Sequence, residues 1–160
     1  MRRAFTLIEL LVAITVVAVI SGGAWLYLNN NNSRQKLEAN RDEVVSSLKL
    51  AQSYAKTRQV PLGYTGPDLQ YVQVTMNGND LIAGVDGVGT TYFDNPLNNS
   101  EVTVTLNPPS IYFWSGGTLS HDNKGTIYKN GETATVIVQS KDNLSGRDQI
   151  IIDALGQVSP

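Results

Sequence analysis

The chain has 160 residues, a formal charge of −2 and no cysteine. That is enough for one soluble domain beside a long apolar segment, and it excludes disulfide staples and thiol chemistry. Bases are too scattered for a nucleic-acid partner, which needs a dense basic patch on the folded domain, and one histidine without cysteine argues against a zinc site.

The chain begins MRRAFTLIELLVAITVVAVISGGAWLYL, Met1 to Leu28. The 24 residues from Phe5 to Leu28 make about 36 Å of helix at 1.5 Å per residue, enough to cross a hydrocarbon core of roughly 30 Å. Glu9 is the one charge inside this run. A carboxylate in hydrocarbon costs at least about 2.5–3.5 kcal/mol, so Glu9 needs a partner or a job. The residues alone leave three readings: a secretory signal cut near Gly22, Gly23 and Ala24, a plain signal anchor, or a short leader cut ahead of the apolar run.

The segment Ala4-Phe5-Thr6-Leu7-Ile8-Glu9-Leu10-Leu11 resembles the prepilin signature of type IV pilin-like proteins. That signature is a short basic leader, a small residue, then Phe-Thr-Leu-Ile-Glu and an apolar helix. An ordinary secretory segment has no use for Glu9. The sequence departs from the family in having Ala4 where Gly is usual. The resemblance implies that Met1–Ala4 is a leader removed between Ala4 and Phe5 by a prepilin peptidase. The cut falls on the cytoplasmic face, where Arg2 and Arg3 hold the N-terminus by the positive-inside bias. It further implies N-methylation of Phe5 and a filament in which Glu9 of one subunit faces the Phe5 amine of its neighbour. Loss of Arg2 and Arg3 takes the side-chain charge from −2 to −4.

Further along, Ser21-Gly22-Gly23 weakens the helix, each glycine by about 1 kcal/mol relative to alanine, either as a loosened point or as a site of close helix packing. Trp25 and Tyr27 fit an interfacial aromatic belt. Asn29–Asn32 reads as a flexible joint or a polar exit from the membrane. Ser33–Gln59 reads as an amphipathic helix with Leu37, Val44, Leu48, Ala51 and Ala55 on one face and Val45 beside them. Arg41 takes one slot of that face and snorkels. Ser33 is the expected N-cap, and Pro61 and Gly63 the expected stop. Six bases and three acids lie from Ser33 to Arg58, whereas Gln59 to Asn123 carries six acids and no Lys or Arg. The helix charges read as solvated or paired within one subunit, in preference to meeting the acidic region of another.

Strands are expected at 69–76, 81–85, 90–93, 102–106, 111–114, 126–128, 134–139 and 149–153, with a short last one at Val158. Asn77-Gly78-Asn79-Asp80 should close a hairpin, and Asn130-Gly131 should join the 126–128 strand to the 134 strand. Alternation puts Tyr112 and Trp114 on the buried face of their strand and Phe113 on the other. One long helix followed by strands gives an α+β fold, helix on antiparallel sheet. The domains are then 1–4 leader, 5–28 transmembrane or filament-core helix, 29–59 linker and amphipathic continuation, and 60–160 β-rich head. Leu48-x-x-Ala51-x-x-x-Ala55-x-x-Arg58-x-Val60-x-Leu62, Phe113-x-x-Gly116-Gly117 and the closing run Ile150 to Val158 resemble the minor pilins and pseudopilins of the H type.

No catalytic constellation stands out. Ser120, His121 and Asp122 are adjacent in sequence, which does not make a triad. The Asp122–Gly125 and Asp142–Asp148 loops have oxygen ligands without EF-hand spacing. The prepilin resemblance implies a structural subunit of a type IV pilus or type II secretion pseudopilus, and no cofactor and no metal are expected. Its implied partners are other pilin or pseudopilin subunits, prepilin peptidase, an inner-membrane assembly platform and, before assembly, the membrane itself. A single-pass inner-membrane protein with a cytoplasmic N-terminus would become part of an extracellular or periplasmic filament. The alternative is a membrane-tethered, adhesin-like module using Tyr92-Phe93 or Tyr112-Phe113-Trp114, which would tolerate Glu9→Ala.

Overall fold

The computed structural model describes residues 6–78, 80–85, 90–97, 102–141 and 146–159, and for residues 23–31 the backbone alone. The leader and the cleavage site at Ala4/Phe5 lie outside these residues.

One helix, α1 (Leu7–Thr57), runs for 51 residues, about 76 Å at 1.5 Å per residue. The expected second start at Ser33 is absent: Ser33 is an interior helical residue and the chain passes through Asn29–Asn32 without a break. Four asparagines cost at most about 0.7 kcal/mol each. Ending the helix and nucleating it again costs about 4 kcal/mol, from a nucleation constant near 10⁻³. Continuing is the cheaper course. The helix stops two residues earlier than Gln59, where Arg58 takes a left-handed conformation (φ 51°) and its N–H returns to the last turn.

Nine strands follow: β1 (Tyr71–Asn77), β2 (Asp80–Gly84), β3 (Thr91–Pro96), β4 (Val102–Asn107), β5 (Ser110–Trp114), β6 (Leu119–Ser120), β7 (Thr133–Ser140), β8 (Arg147–Asp153) and β9 (Val158–Ser159). They form two antiparallel sheets, ordered β3-β2-β1-β5-β6 and β4-β7-β8-β9. The Asn77–Asp80 hairpin forms as its turn residues require, with Asn77 opposite Asp80. The expected strand at 126–128 does not. Ile127 makes one bridge to Ser120 in the first sheet, while β7 belongs to the second. The Asn130-Gly131 turn, closed by Glu132 N donating to Lys129 O at 3.0 Å, therefore carries the chain from one sheet to the other and makes no hairpin.

The helical face read from the periodicity is the one buried: Leu37, Val44, Leu48, Ala51 and Ala55 are at most 4% exposed. Two polar neighbours go in with them and are satisfied. Asn40 Nδ2 donates to Lys36 O at 2.7 Å, and Ser47 Oγ accepts from Asn95 Nδ2 at 3.2 Å, as buried polar groups must be. Arg41 is half-buried, 2.9 Å from Asp42 and 3.8 Å from Asp148 on β8, so this helix charge is paired within the subunit.

Candidate functional site

The segment that leaves the head is the N-terminal part of α1. From Leu7 to Ile20 every large apolar side chain is more than half exposed, from Val16 at 51% to Leu7 at 82%. Leu10, Ala13, Ile14, Val17 and Ala18 line a shallow apolar groove along it. An exposed surface this rich in apolar side chains on a folded chain marks an interaction site with protein or lipid. Among the described residues no helix is long and apolar enough to cross a membrane. The exposed apolar side chains described run from Leu7 to Ile20, roughly 21 Å of helix.

Glu9 has a partner in its own first turn. Its backbone N–H donates to Thr6 Oγ1 at 3.3 Å, and its carboxylate accepts from Thr6 N at 3.5 Å. Thr6 is the N-cap of α1 and Glu9 its third residue, a capping box. The Thr-x-x-Glu spacing ahead of an apolar run is a sequence-level signal for this arrangement, and it accounts for part of Glu9's placement without any neighbour. Arg2, Arg3, Ala4 and Phe5 lie outside the described residues.

At the other end, three distant pieces meet. Gln52 on α1 donates through Nε2 to Gly117 O at 3.0 Å and to Leu155 O at 3.5 Å. Gly156 sits at φ +76°, where a Cβ would run into the Gly117 carbonyl oxygen and lie 2.6 Å from Gln52 Nε2. The Ala51–Ala55 helix face, the Gly116-Gly117 turn and the closing Gly156 turn thus form one junction that fixes the helix on the head. Periodicity alone does not reveal it.

The aromatic residues are turned the other way from expectation. Phe113 is fully buried in the core, and Tyr112 and Trp114 lie half-exposed on the outer face of β5. The alternation holds, but Phe113 opposes Val72 of β1, whose face is covered by α1 and the second sheet. Trp114 stacks on Tyr71 (5.6 Å, 13°), and a Cβ on Gly125 would come within 2.9 Å of its ring. The indole is thereby held between β1 and the 121–126 loop. Tyr92 stacks on Tyr54 at 4.7 Å and donates to Gln59 O at 2.5 Å. Burial first, with Tyr64 and Tyr54 adding, pushes its hydroxyl up to about 12.

The Asp122 loop is closed by its own hydrogen bonds. The carboxylate accepts from Lys124 N (3.0 Å), Thr126 N (3.1 Å) and Thr126 Oγ1 (2.9 Å). These bonds, the Thr126 backbone N–H foremost, hold it below the usual carboxylate range. His121 stacks on Tyr128 (3.9 Å) and meets Glu132 at 3.0 Å. Among the described residues no group of three or more His, Cys, Asp or Glu side chains is placed to hold a metal; residues 142–145 of the second loop lie outside them.

Comparison with known proteins bears on both ends of the chain. Residues 1–25 match the family described as the prokaryotic N-terminal methylation motif. Over 79% of this chain and 88% of the other, the fold is similar to the crystal structure of the type IV minor pilin FimU of Pseudomonas aeruginosa strain PAO1, with a TM-score of 0.57 and 15% sequence identity. Its N-terminal motif and its fold thus both resemble those of type IV pilin-like proteins. At that identity the likeness to FimU is one of fold: an N-terminal helix packed on antiparallel sheets. No curated protein matches the chain. The methylation motif covers the capped, exposed end of α1.

Proposed function

We propose that this pilin-like protein is a filament subunit of a type IV pilus or a secretion pseudopilus, acting by assembly and not by catalysis. Within the family the H-type resemblance points to a minor subunit. The observation that carries the reading is the N-terminal arm: a capped helix end followed by an apolar surface that the subunit's own head leaves uncovered.

In this reading the Phe5–Leu28 segment first sits in the inner membrane, with Arg2 and Arg3 on the cytoplasmic side. Prepilin peptidase cuts between Ala4 and Phe5 and Phe5 is N-methylated. The cut creates an α-amino group, cationic at neutral pH. In an apolar surrounding a lone carboxylate is costly, and pairing recovers much of that cost. Glu9 therefore favours a position where it faces the Phe5 amine of the preceding subunit, which sets the register, and the apolar arms then pack side by side. The assembly platform supplies the motion, and the heads form the outer layer.

The test is intact mass and N-terminal sequence of the protein from native membranes and sheared filaments, beside Glu9→Ala. A mature start at Phe5 with one added methyl, and filaments lost in the variant, is the expected result. An uncut Met1 would make the protein a tethered module. A start near Trp25 would make it a secreted soluble protein. Either outcome refutes the assembly reading.

A further inference from the structure

Of the asparagines, Asn77 and Asn130 alone precede a glycine. The side-chain amide of an asparagine is an electrophile, and the main-chain nitrogen of the next residue is a nucleophile one ring closure away. A Cβ on that next residue shields its nitrogen, and glycine has none. The two Asn-Gly pairs are equal as sequence, yet the fold treats them differently. Asn77 ends β1 and sits opposite Asp80 in the ladder that closes the first hairpin. Asn130 belongs to no strand. It is exposed, as is Gly131, in the turn that carries the chain from the first sheet to the second.

Both reacting groups at Asn130 are accessible. Among the described residues neither the Asn130 side-chain amide nor the Gly131 N–H has a hydrogen-bond partner, and the space a Cβ on Gly131 would take has no neighbour within 4 Å. Bringing the Gly131 nitrogen onto the Asn130 side chain turns the peptide between them, which breaks the 3.0 Å bond from Glu132 N to Lys129 O. The ends of the turn stay together meanwhile, because Lys129 N also donates to the Glu132 carboxylate at 2.7 Å. The same rotation at Asn77 undoes the closing pair of the hairpin and pulls on the β1–β2 ladder behind it, so it sacrifices at least one hydrogen bond more.

We propose that Asn130 is a site of spontaneous covalent modification, at which the folded chain converts its own asparagine to aspartate and isoaspartate. The Gly131 nitrogen attacks Cγ of Asn130. A new N–C bond forms, the bond from Cγ to Nδ2 breaks, and the proton of the Gly131 nitrogen leaves with the amide as ammonia. Water then opens the cyclic imide at either carbonyl, and nothing is oxidised or reduced. Opening at the side-chain carbonyl gives aspartate. Opening at the main-chain carbonyl gives isoaspartate, which routes the main chain through the former side chain and adds a carbon to it. Either product places a new carboxylate two residues from Glu132, whose own carboxylate meets His121. Isoaspartate also lengthens the turn, so the bond from Glu132 N to Lys129 O is lost for good at the crossing between the sheets.

The test is ageing of the full-length chain in detergent micelles at neutral pH, then digestion in acid and peptide mapping by mass spectrometry. Amide loss at Asn130 should run roughly fivefold faster than at Asn77, a factor equivalent to about 1 kcal/mol, or one hydrogen bond. In chain unfolded by urea the two rates should converge, because only the fold separates the two pairs. An isoaspartyl methyltransferase should label the peptide that holds residue 130, and the Glu132 amide of the aged, folded protein should exchange faster than that of fresh protein. Equal rates in the folded chain, a faster Asn77, or a ratio that urea leaves unchanged would overturn the site. Aspartate without isoaspartate at position 130 would overturn the imide route, and an unchanged Glu132 amide would overturn the effect on the turn. Each readout is independent of whether the protein is cleaved or polymerises.

Discussion

Replacing Gly156 with alanine tests the junction between helix and head. Gly156 holds φ +76°, a left-handed backbone that costs a residue with a Cβ roughly 1–2 kcal/mol. The added methyl would also meet the Gly117 carbonyl oxygen, a backbone atom that cannot swing aside, and would displace the Gln52 amide, whose 3.0 Å bond to that oxygen is worth about 0.5–1.5 kcal/mol. Together the loss should be about 3 kcal/mol. Gly131→Ala supplies the control, because its φ is +92° and a Cβ there meets nothing within 4 Å, so only the backbone cost of roughly 1–2 kcal/mol applies. Chemical unfolding of the full chain in mild detergent, followed by Trp114 fluorescence in a Trp25→Phe background, compares the two. Equal losses in the two variants, or a Gly156→Ala loss under about 1 kcal/mol, would refute the account of a junction closed by the absence of a side chain.

Phe113→Ala should cost about 3–5 kcal/mol as a cavity in the core, while Tyr112→Ala on the outer face should cost distinctly less; the same unfolding measurement ranks them. Thr6→Ala should remove about 1 kcal/mol from the first turn of α1, seen as faster amide exchange there with no change in the unfolding midpoint of the head. The pH dependence of the 121–127 loop follows from Asp122, whose carboxyl is held low by the Thr126 and Lys124 donors. Its contribution is fully present above the ordinary carboxyl range and is lost as pH falls through the depressed value. Loop amides should therefore lose protection on acidification below about pH 4, and Asp122→Asn, which does not titrate, should abolish that dependence.

Where the structure follows the sequence, the cause is local repetition. The face of α1 from Leu37 to Ala55 could be read because burial repeats with the helical turn. Eight of the nine strands were expected within a few residues of their positions, because Val-Thr alternation and Asn-Gly turns act over short spans. The β6 strand at Leu119–Ser120, only two residues long, gave no such signal. The prepilin-like signature of Ala4 to Leu11 is a contiguous string and needs no fold to be seen, and the Thr6–Glu9 capping box was equally present in it. What only the tertiary structure decided involves residues far apart in the chain. The division into two sheets follows from β7 pairing with β4 and β8 and not with the 126–128 segment. Which side of β5 is inside depends on what covers it: α1 and the second sheet bury Phe113, and a two-residue period fixes the alternation but never its phase. The meeting of Gln52, Gly117 and Gly156 exists only once segments from opposite ends of the sequence are side by side.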